Sequence, residues 1–147
     1  MFTEPNLLTD SAATDEERVR LGLFPGEMVY RLDRIRGQGE HLQVEHIRLP
    51  AALFPCLQIP VPSICDLADI YGLQLGKALE RVCAVPAPPS IAEVLRVTET
   101  TRIIMLDKVV HLRDGRPAEW RIAYCADHGN LARLKPSLNS WASAATN

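Results

Sequence analysis

Two pairs of strand-like segments, each joined by a short glycine-containing turn, place the strongest constraint on how this chain can fold. The pairs are residues 27–36 with 41–49, around Gly37-Gln38-Gly39, and residues 102–112 with 117–126, around Asp114-Gly115. Turns of this kind are typical of β-hairpins, whose two strands run antiparallel. The sequence therefore predicts antiparallel pairing at two separate places along the chain.

Short helices are predicted between the strand groups by three capping signatures, in which a Ser or Thr precedes an acidic residue by three positions. The signatures are Thr14–Glu17, Ser63–Asp66 and Ser90–Glu93. The intervening segment 74–85 fits either a helix or a strand, and we assign a strand because its apolar residues partly alternate. Since helices do not follow every strand, the order favours an α+β fold over a doubly wound parallel sheet.

Length and composition indicate a single-domain protein that does not itself bind nucleic acid. A chain of 147 residues suits one domain. We expect a tail or linker remnant over residues 1–13, the domain over 14–135 with a last short strand near 131–134, and a C-terminal tail over 136–147. The net charge is −2 and the 16 basic residues are scattered, which argues against direct nucleic-acid binding by this chain.

No segment has the apolar length of a membrane span or a signal peptide, so we expect a cytoplasmic protein without membrane contact. The four cysteines form no C-x-x-C pair and the four histidines have no metal-ligand spacing. No nucleophile elbow or glycine-rich phosphate loop is present either. The sequence thus predicts no metal, no cofactor and no enzyme activity.

The first strand carries the most informative polar residues. Side chains alternate along a strand, so Arg34 and Arg36 share a face with the apolar Leu32 and point towards a partly enclosed space. The planar guanidinium suits a carboxylate or a phosphate. Two interpretations remain open: the arginines bind an anionic ligand, or they close the sheet edge in ion pairs with carboxylates such as Glu45.

Other polar residues have ordinary structural interpretations beside the functional ones. Across the turn, Glu45 lies near Asp33 or Arg34, which fits a structural ion pair. Glu119 is an isolated carboxylate on a strand, a position that is usually solvated. Ser63 fits a helix cap, although the free amides of that helix start also favour an anion.

Several segments together resemble a known regulatory domain. They are Leu21–Arg36, Glu45, Leu49–Pro55, Ser63–Leu67 leading to Tyr71-Gly72, Ala92–Val97 and Gly115–Trp120. In this order and spacing they are similar to the UTRA (UbiC transcription regulator-associated) domain, the effector-binding half of HutC-subfamily GntR regulators. The resemblance extends over about residues 17–135.

The resemblance implies a chorismate-lyase-like α+β fold, an antiparallel β-sheet with flanking short helices and a ligand cleft. It implies that Arg34 and Arg36 bind the anionic group of the effector. It also implies that Ser63 assists with a phosphate, and that Glu45 and Glu119 recognise hydroxyls or amines.

The end of the last long strand departs from the family pattern. Family members often have an aromatic residue and an R-G-D-like segment there, whereas this chain has Tyr124 followed by Cys125-Ala126-Asp127-His128-Gly129. Tyr124 is therefore included as a candidate ligand-binding residue. The missing arginine leaves the effector class open between sugar phosphates and carboxylates.

The resemblance also implies partners. The expected partners are a small anionic metabolite, a second copy of the chain in a homodimer, and DNA only through a winged-helix domain that is missing here. A chorismate-lyase-like enzyme on the same fold is the alternative, in which the arginine pair would hold a dicarboxylate. The segment Leu21–Glu27 favours the regulator.

Overall fold

An antiparallel sheet lies at the centre of the computed structural model, which describes residues 7–126 and 141–144. Within those residues the sheet has seven strands in the spatial order β1-β2-β3-β6-β5-β4-β7. The strands are β1 (Leu7–Ala12), β2 (Met28–Arg36), β3 (Gln43–Pro50), β4 (Leu75–Pro86), β5 (Arg102–Leu112), β6 (Pro117–Cys125) and β7 (Trp141–Ala144). All neighbouring strands pair antiparallel. The predicted α+β class with an antiparallel sheet is confirmed.

Both predicted hairpins are present. β2 pairs with β3 around Gly37, which has φ +84°. β3 begins two residues later than expected, because Gly39–His41 form a 3-10 turn. β5 pairs with β6 around Gly115, which has φ +97°. Positive φ at these positions favours glycine, which has no Cβ.

The helices within the described residues are α1 (Asp15–Leu21), α2 (Ile64–Tyr71) and α3 (Pro89–Leu95). Thr14 and Glu17 form the complete predicted capping box of α1. Ser63 caps α2 as expected, accepting a hydrogen bond from the Asp66 amide at 3.2 Å. The third predicted cap, Ser90, is wrong: α3 begins at Pro89 after Pro88. Proline suits a first helical position because its φ is already helical and its missing N–H has no partner there.

The helices cover the two faces of the sheet unequally. On one face, α2 packs Ile64 and Leu67 against Leu32 and Ile47; we call this the α2 face. On the other, α1 packs Leu21 against Trp120; we call this the α1 face. α3 also lies on the α1 face, where Ile91 and Ala92 pack against Val44 and Ile103. Residues that alternate along each strand therefore enter two separate environments.

The two ends of the chain differ from the sequence expectation. Leu7–Ala12, predicted as part of a tail, form β1 and pair with β2. Trp141–Ala144, predicted as part of a C-terminal tail, form β7 and pair with β4. Both are edge strands, which pair on one side only and so lack the apolar pattern of a central strand. The strand predicted near 131–134 lies outside the described residues.

Candidate ligand-binding site

A cluster of buried charges on the α2 face begins with the ion pair of Arg34 and Glu45. These residues lie directly opposite each other on β2 and β3, and Arg34 Nε donates to Glu45 Oε1 at 2.7 Å. The side chain of Arg34 is 9% exposed and that of Glu45 is 2% exposed. The ion pair expected under the structural interpretation is therefore present, and it fixes a guanidinium on this face.

Arg121 extends the cluster, although it is not among the site residues predicted from the sequence. Its Nη1 lies 3.5 Å from Glu45 Oε2 and its Nη2 lies 3.7 Å from Glu119 Oε2. A signal was available, because Glu119 and Arg121 are two residues apart on one strand and must share a face. That face is the α2 face, since Arg121 contacts Glu45.

Glu119 is the least satisfied member of the cluster. The residue is only 2% exposed, and its Oε1 is buried without a hydrogen-bond partner among the described residues. Arg121 Nε is likewise buried and unpartnered there. Burial raises the pKa of Glu119, and the positive charges of Arg121 and Lys108 offset this only partly. Buried polar atoms normally have a partner, so these two atoms are the unsatisfied groups of the cluster.

Arg36 and Ser63 are both exposed. The guanidinium of Arg36 has no hydrogen bond or ion pair within the part of the chain that the structure describes. Ser63 is held by its role as the cap of α2. The chain just before it contacts the cluster, because Arg34 Nη1 donates to the Val61 carbonyl at 3.5 Å. The segment just before α2 therefore lies beside Arg34.

Tyr124 does not join the other predicted residues. It packs on the α1 face against Val44, and its ring meets that of His46 edge-on at 6.1 Å. Burial raises the pKa of Tyr124, with a further contribution from the negative charge of Asp107 on the same face. Its placement in the site is thus a correction, and its cause is strand alternation. Cys125, one residue later, faces the α2 side instead.

The α1 face carries a separate charged network whose groups are paired with one another. Glu17 Oε1 and Oε2 accept from Arg31 at 2.6 and 2.8 Å, and Oε2 also accepts from Arg48 at 3.1 Å. Arg48 Nη1 also donates to Asp33 Oδ1 at 3.1 Å, and Asp33 Oδ1 lies 2.8 Å from His46 Nδ1. This network borders a cavity of about 450 Å³. Its completeness contrasts with the unpartnered atoms of the α2 face.

Other kinds of site find no support in the described residues. These residues contain no group of His, Cys, Asp and Glu side chains placed to hold a metal ion. Over the same ranges, no helix has the length and apolar character needed to cross a membrane. None of the four cysteines, all of which lie within the described residues, forms a disulfide. The α2-face cluster, with its buried charges and its unpartnered atoms, is the candidate site that remains.

Comparison with known proteins gives a consistent result. The sequence model of the UTRA domain matches residues 7–128. A GntR-family regulator from Enterococcus faecalis V583 has 21% identity and a TM-score of 0.76, over 85% of this chain and 93% of that one. The ligand-binding domain of a GntR-family regulator from Bordetella bronchiseptica has 22% identity and a TM-score of 0.76, over 86% and 83%. PhnF from Mycobacterium smegmatis has 21% identity and a TM-score of 0.72, over 84% of this chain but 58% of that one.

Proposed function

The chain belongs to the UTRA domain family, and on that premise we propose that it is the effector-binding domain of a GntR-type transcription regulator. Its effector is a small anionic metabolite, a sugar phosphate or a carboxylate. The effector binds on the α2 face at Arg34, Arg36, Glu45, Ser63 and Glu119. Arg34 and Arg36 contact the acidic group, Ser63 assists, and the two glutamates select hydroxyls or amines.

The observation that carries this proposal is the incomplete hydrogen bonding around Glu119. Its Oε1 is buried and unpartnered in the described chain, and so is the neighbouring Arg121 Nε. Leaving a buried donor or acceptor unpaired costs about 1–3 kcal/mol. In a domain without a ligand, such unpaired atoms only lower the stability of the fold. A ligand that forms hydrogen bonds with them removes this cost when it binds.

The charge of the effector follows from Arg34 and Arg36. Arg34 Nε is committed to Glu45, which offsets most of its charge, so Arg34 contributes to the site through its remaining N–H groups. Arg36 is exposed and its guanidinium is free within the described ranges. A hydrogen bond to a charged group contributes about 1.5–3 kcal/mol, so Arg36 favours an acidic group at the site margin.

The effector regulates DNA binding by changing the population of the arrangements that the dimer adopts. The domain forms a homodimer and acts, in the cytoplasm, on DNA binding by a winged-helix domain. An effector that binds one arrangement of the dimer better shifts the population towards that arrangement. The effector thereby changes the spacing of the DNA-binding domains.

A thermal-shift screen with small anions tests the site. At 100 times its dissociation constant, a ligand stabilises the folded state by about 2.7 kcal/mol. For any anion that binds, Arg36→Gln should weaken the affinity about 10- to 100-fold, the equivalent of one charge-assisted hydrogen bond. Arg36 is the better choice than Arg34, whose replacement would leave the buried Glu45 without its closest partner.

Arg113→Gln is the matched control. Arg113 is exposed beside the β5–β6 turn, where it hydrogen-bonds Gln74 rather than the cluster. An anion whose affinity falls equally in both variants would be responding to overall charge, and that result would contradict the site. Analytical ultracentrifugation with and without the anion tests the homodimer.

An enzyme is the second candidate, because a buried carboxylate beside fixed arginines could also hold a reacting dicarboxylate. The UTRA match favours regulation. Incubation of the protein with chorismate separates the two: we expect no turnover, and release of product at a rate that Arg34→Gln abolishes would replace the regulatory proposal.

A further inference from the structure

Two positive side chains lie side by side on the α2 face. Lys108 of β5 and Arg121 of β6 are direct partners in the antiparallel register. Direct cross-strand neighbours have Cβ atoms about 4.5–5.5 Å apart, and like charges in that arrangement destabilise a sheet. Arg121 has Glu45 and Glu119 nearby, so the unexplained member of the pair is Lys108.

Lys108 forms no hydrogen bond or ion pair within the described residues. It is half-buried, and its positive charge acts on the pKa of Glu119, its diagonal neighbour on β6. Glu80 lies opposite it on β4, yet no ion pair joins the two within the described ranges. A half-buried ammonium beside a guanidinium is an unfavourable arrangement unless an anion lies between them.

Arg121 is also incompletely bonded. Its Nε is buried without a hydrogen-bond partner in the described chain, although its other two nitrogens lie near the glutamates. The adjacent Glu119, whose Oε1 is unpartnered too, is nine-tenths or more buried. Three neighbouring groups on one face thus lack partners: an ammonium, a guanidinium N–H and a carboxyl oxygen.

We infer that Lys108 and Arg121 form a second anion subsite, so that the effector carries two acidic groups. One group binds at Arg36 and the other at the Lys108–Arg121 pair. This inference rests on the proposed function, since it adds a second contact to the same ligand. It assigns roles to two residues that the sequence resemblance does not include.

The positions of the two subsites constrain the effector. β3 lies between β2 and β6, so Arg36 and Arg121 are separated by roughly 10 Å across the sheet. In the strand register, Arg121 of β6 pairs with Ile47 of β3, and Ile47 pairs with Leu32 of β2. Arg36 is therefore also offset by four residues, roughly 13 Å along the strands. The acidic groups must then lie at opposite ends of the ligand, with an uncharged segment between them.

The raised pKa of Glu119 lessens its opposition to a second acidic group. Burial raises that pKa, so the carboxyl takes up a proton more readily than an exposed glutamate does. In its protonated form it would donate a hydrogen bond to an anion instead of repelling it.

Matched pairs of straight-chain acids test the inference. Sebacate and decanoate have the same number of carbons but two carboxylates against one, and adipate, suberate and dodecanedioate vary the spacing. Affinities are measured by titration of the amide NMR signals. We expect the best dicarboxylate to bind about 10- to 100-fold more tightly than its monocarboxylate, the gain from one charge-assisted contact.

Lys108→Gln should abolish that advantage. The variant should fold, because it removes a like-charge contact and no ion pair of the described chain. Lys108→Arg should restore the advantage at least in part. Lys77→Gln, which replaces an exposed lysine on β4, is the matched control and should leave the advantage intact.

The outcomes separate this inference from the proposed function. Equal affinities for the paired acids, or an advantage that survives in Lys108→Gln, would overturn the second subsite. If the monocarboxylate then still bound in an Arg36-dependent way, the proposed function would stand. If no acid in the series bound in an Arg36-dependent way, both would fail.

Discussion

Replacement of Glu17 by glutamine should remove a stabilising charge whose effect depends on pH. Glu17 is 5% exposed on α1, where it accepts hydrogen bonds from Arg31 and Arg48. Burial alone would raise its pKa. The hydrogen bond from Arg31, the Thr14 amide and the two positive charges outweigh burial and lower the pKa to about 2.

The magnitude follows from the difference between the folded and unfolded pKa. A fall from 4.5 to about 2 corresponds to about 3 kcal/mol of stability, at about 1.36 kcal/mol for each pKa unit. Because the folded pKa is the lower one, this contribution is complete above about pH 4.5. It is lost as the pH falls from there towards 2.

Urea unfolding of the wild type and Glu17→Gln, followed by tryptophan fluorescence at several pH values, measures this contribution. At pH 7 the variant should be less stable by about 3 kcal/mol, and the difference should shrink as the pH falls below 4.5. Asp33, whose pKa is lowered chiefly by its hydrogen bond with His46, is present in both proteins. Its own pH-dependent contribution to stability therefore largely cancels in the difference between them.

Glu16→Gln is the control, since Glu16 is exposed on the same helix. It should change the free energy of unfolding by less than about 0.5 kcal/mol. The reasoning would be refuted if the wild type and Glu17→Gln lost stability in parallel between pH 7 and pH 2.5. That result would mean that protonation of Glu17 does not distinguish the folded from the unfolded state.

Two further predictions concern Glu119 and the first hairpin. Because burial raises the folded pKa of Glu119, its contribution is complete at low pH and is lost as the pH rises. The free energy of unfolding of the wild type, relative to Glu119→Gln, should therefore fall from pH 4 to pH 8 in urea titrations, and a constant difference would contradict the assignment. Gly37→Ala should lower the free energy of unfolding by at least about 1–2 kcal/mol. A Cβ there would lie 2.2 Å from the His41 carbonyl oxygen at φ +84°. Gly39→Ala, with φ +60° and open space around its Cβ, should cost less, and equal losses would contradict the clash.

Local patterns in the sequence predicted much of the fold. The turns at Gly37 and Gly115 defined two hairpins, and the caps at Thr14 and Ser63 defined the starts of two helices. Each of these signals lies within a few neighbouring residues, so it can be interpreted without knowledge of the tertiary structure. Ser90 shows the limit, because Pro89 occupies the first helical position and displaces the cap.

The candidate site was less predictable, because it depends on which strands become neighbours. Arg34 and Glu45 belong to one hairpin, so their pairing followed from the turn. Arg121 reaches Glu45 only because β6 lies beside β3, a long-range pairing that no local pattern encodes. Tyr124 was misplaced although alternation along its own strand already puts it on the face opposite to Glu119.

The positions of β1 and β7 bear on how the domain can be shortened. These strands form the two outer edges of the sheet, and they come from opposite ends of the described chain. A chain reduced to residues 14–135 would expose the backbone N–H and C=O groups of β2 and β4. Uncovered edges of this kind pair with other chains and promote aggregation. Preparations of the domain for ligand studies should therefore retain both peripheral strands, so that self-association is not mistaken for a native dimer.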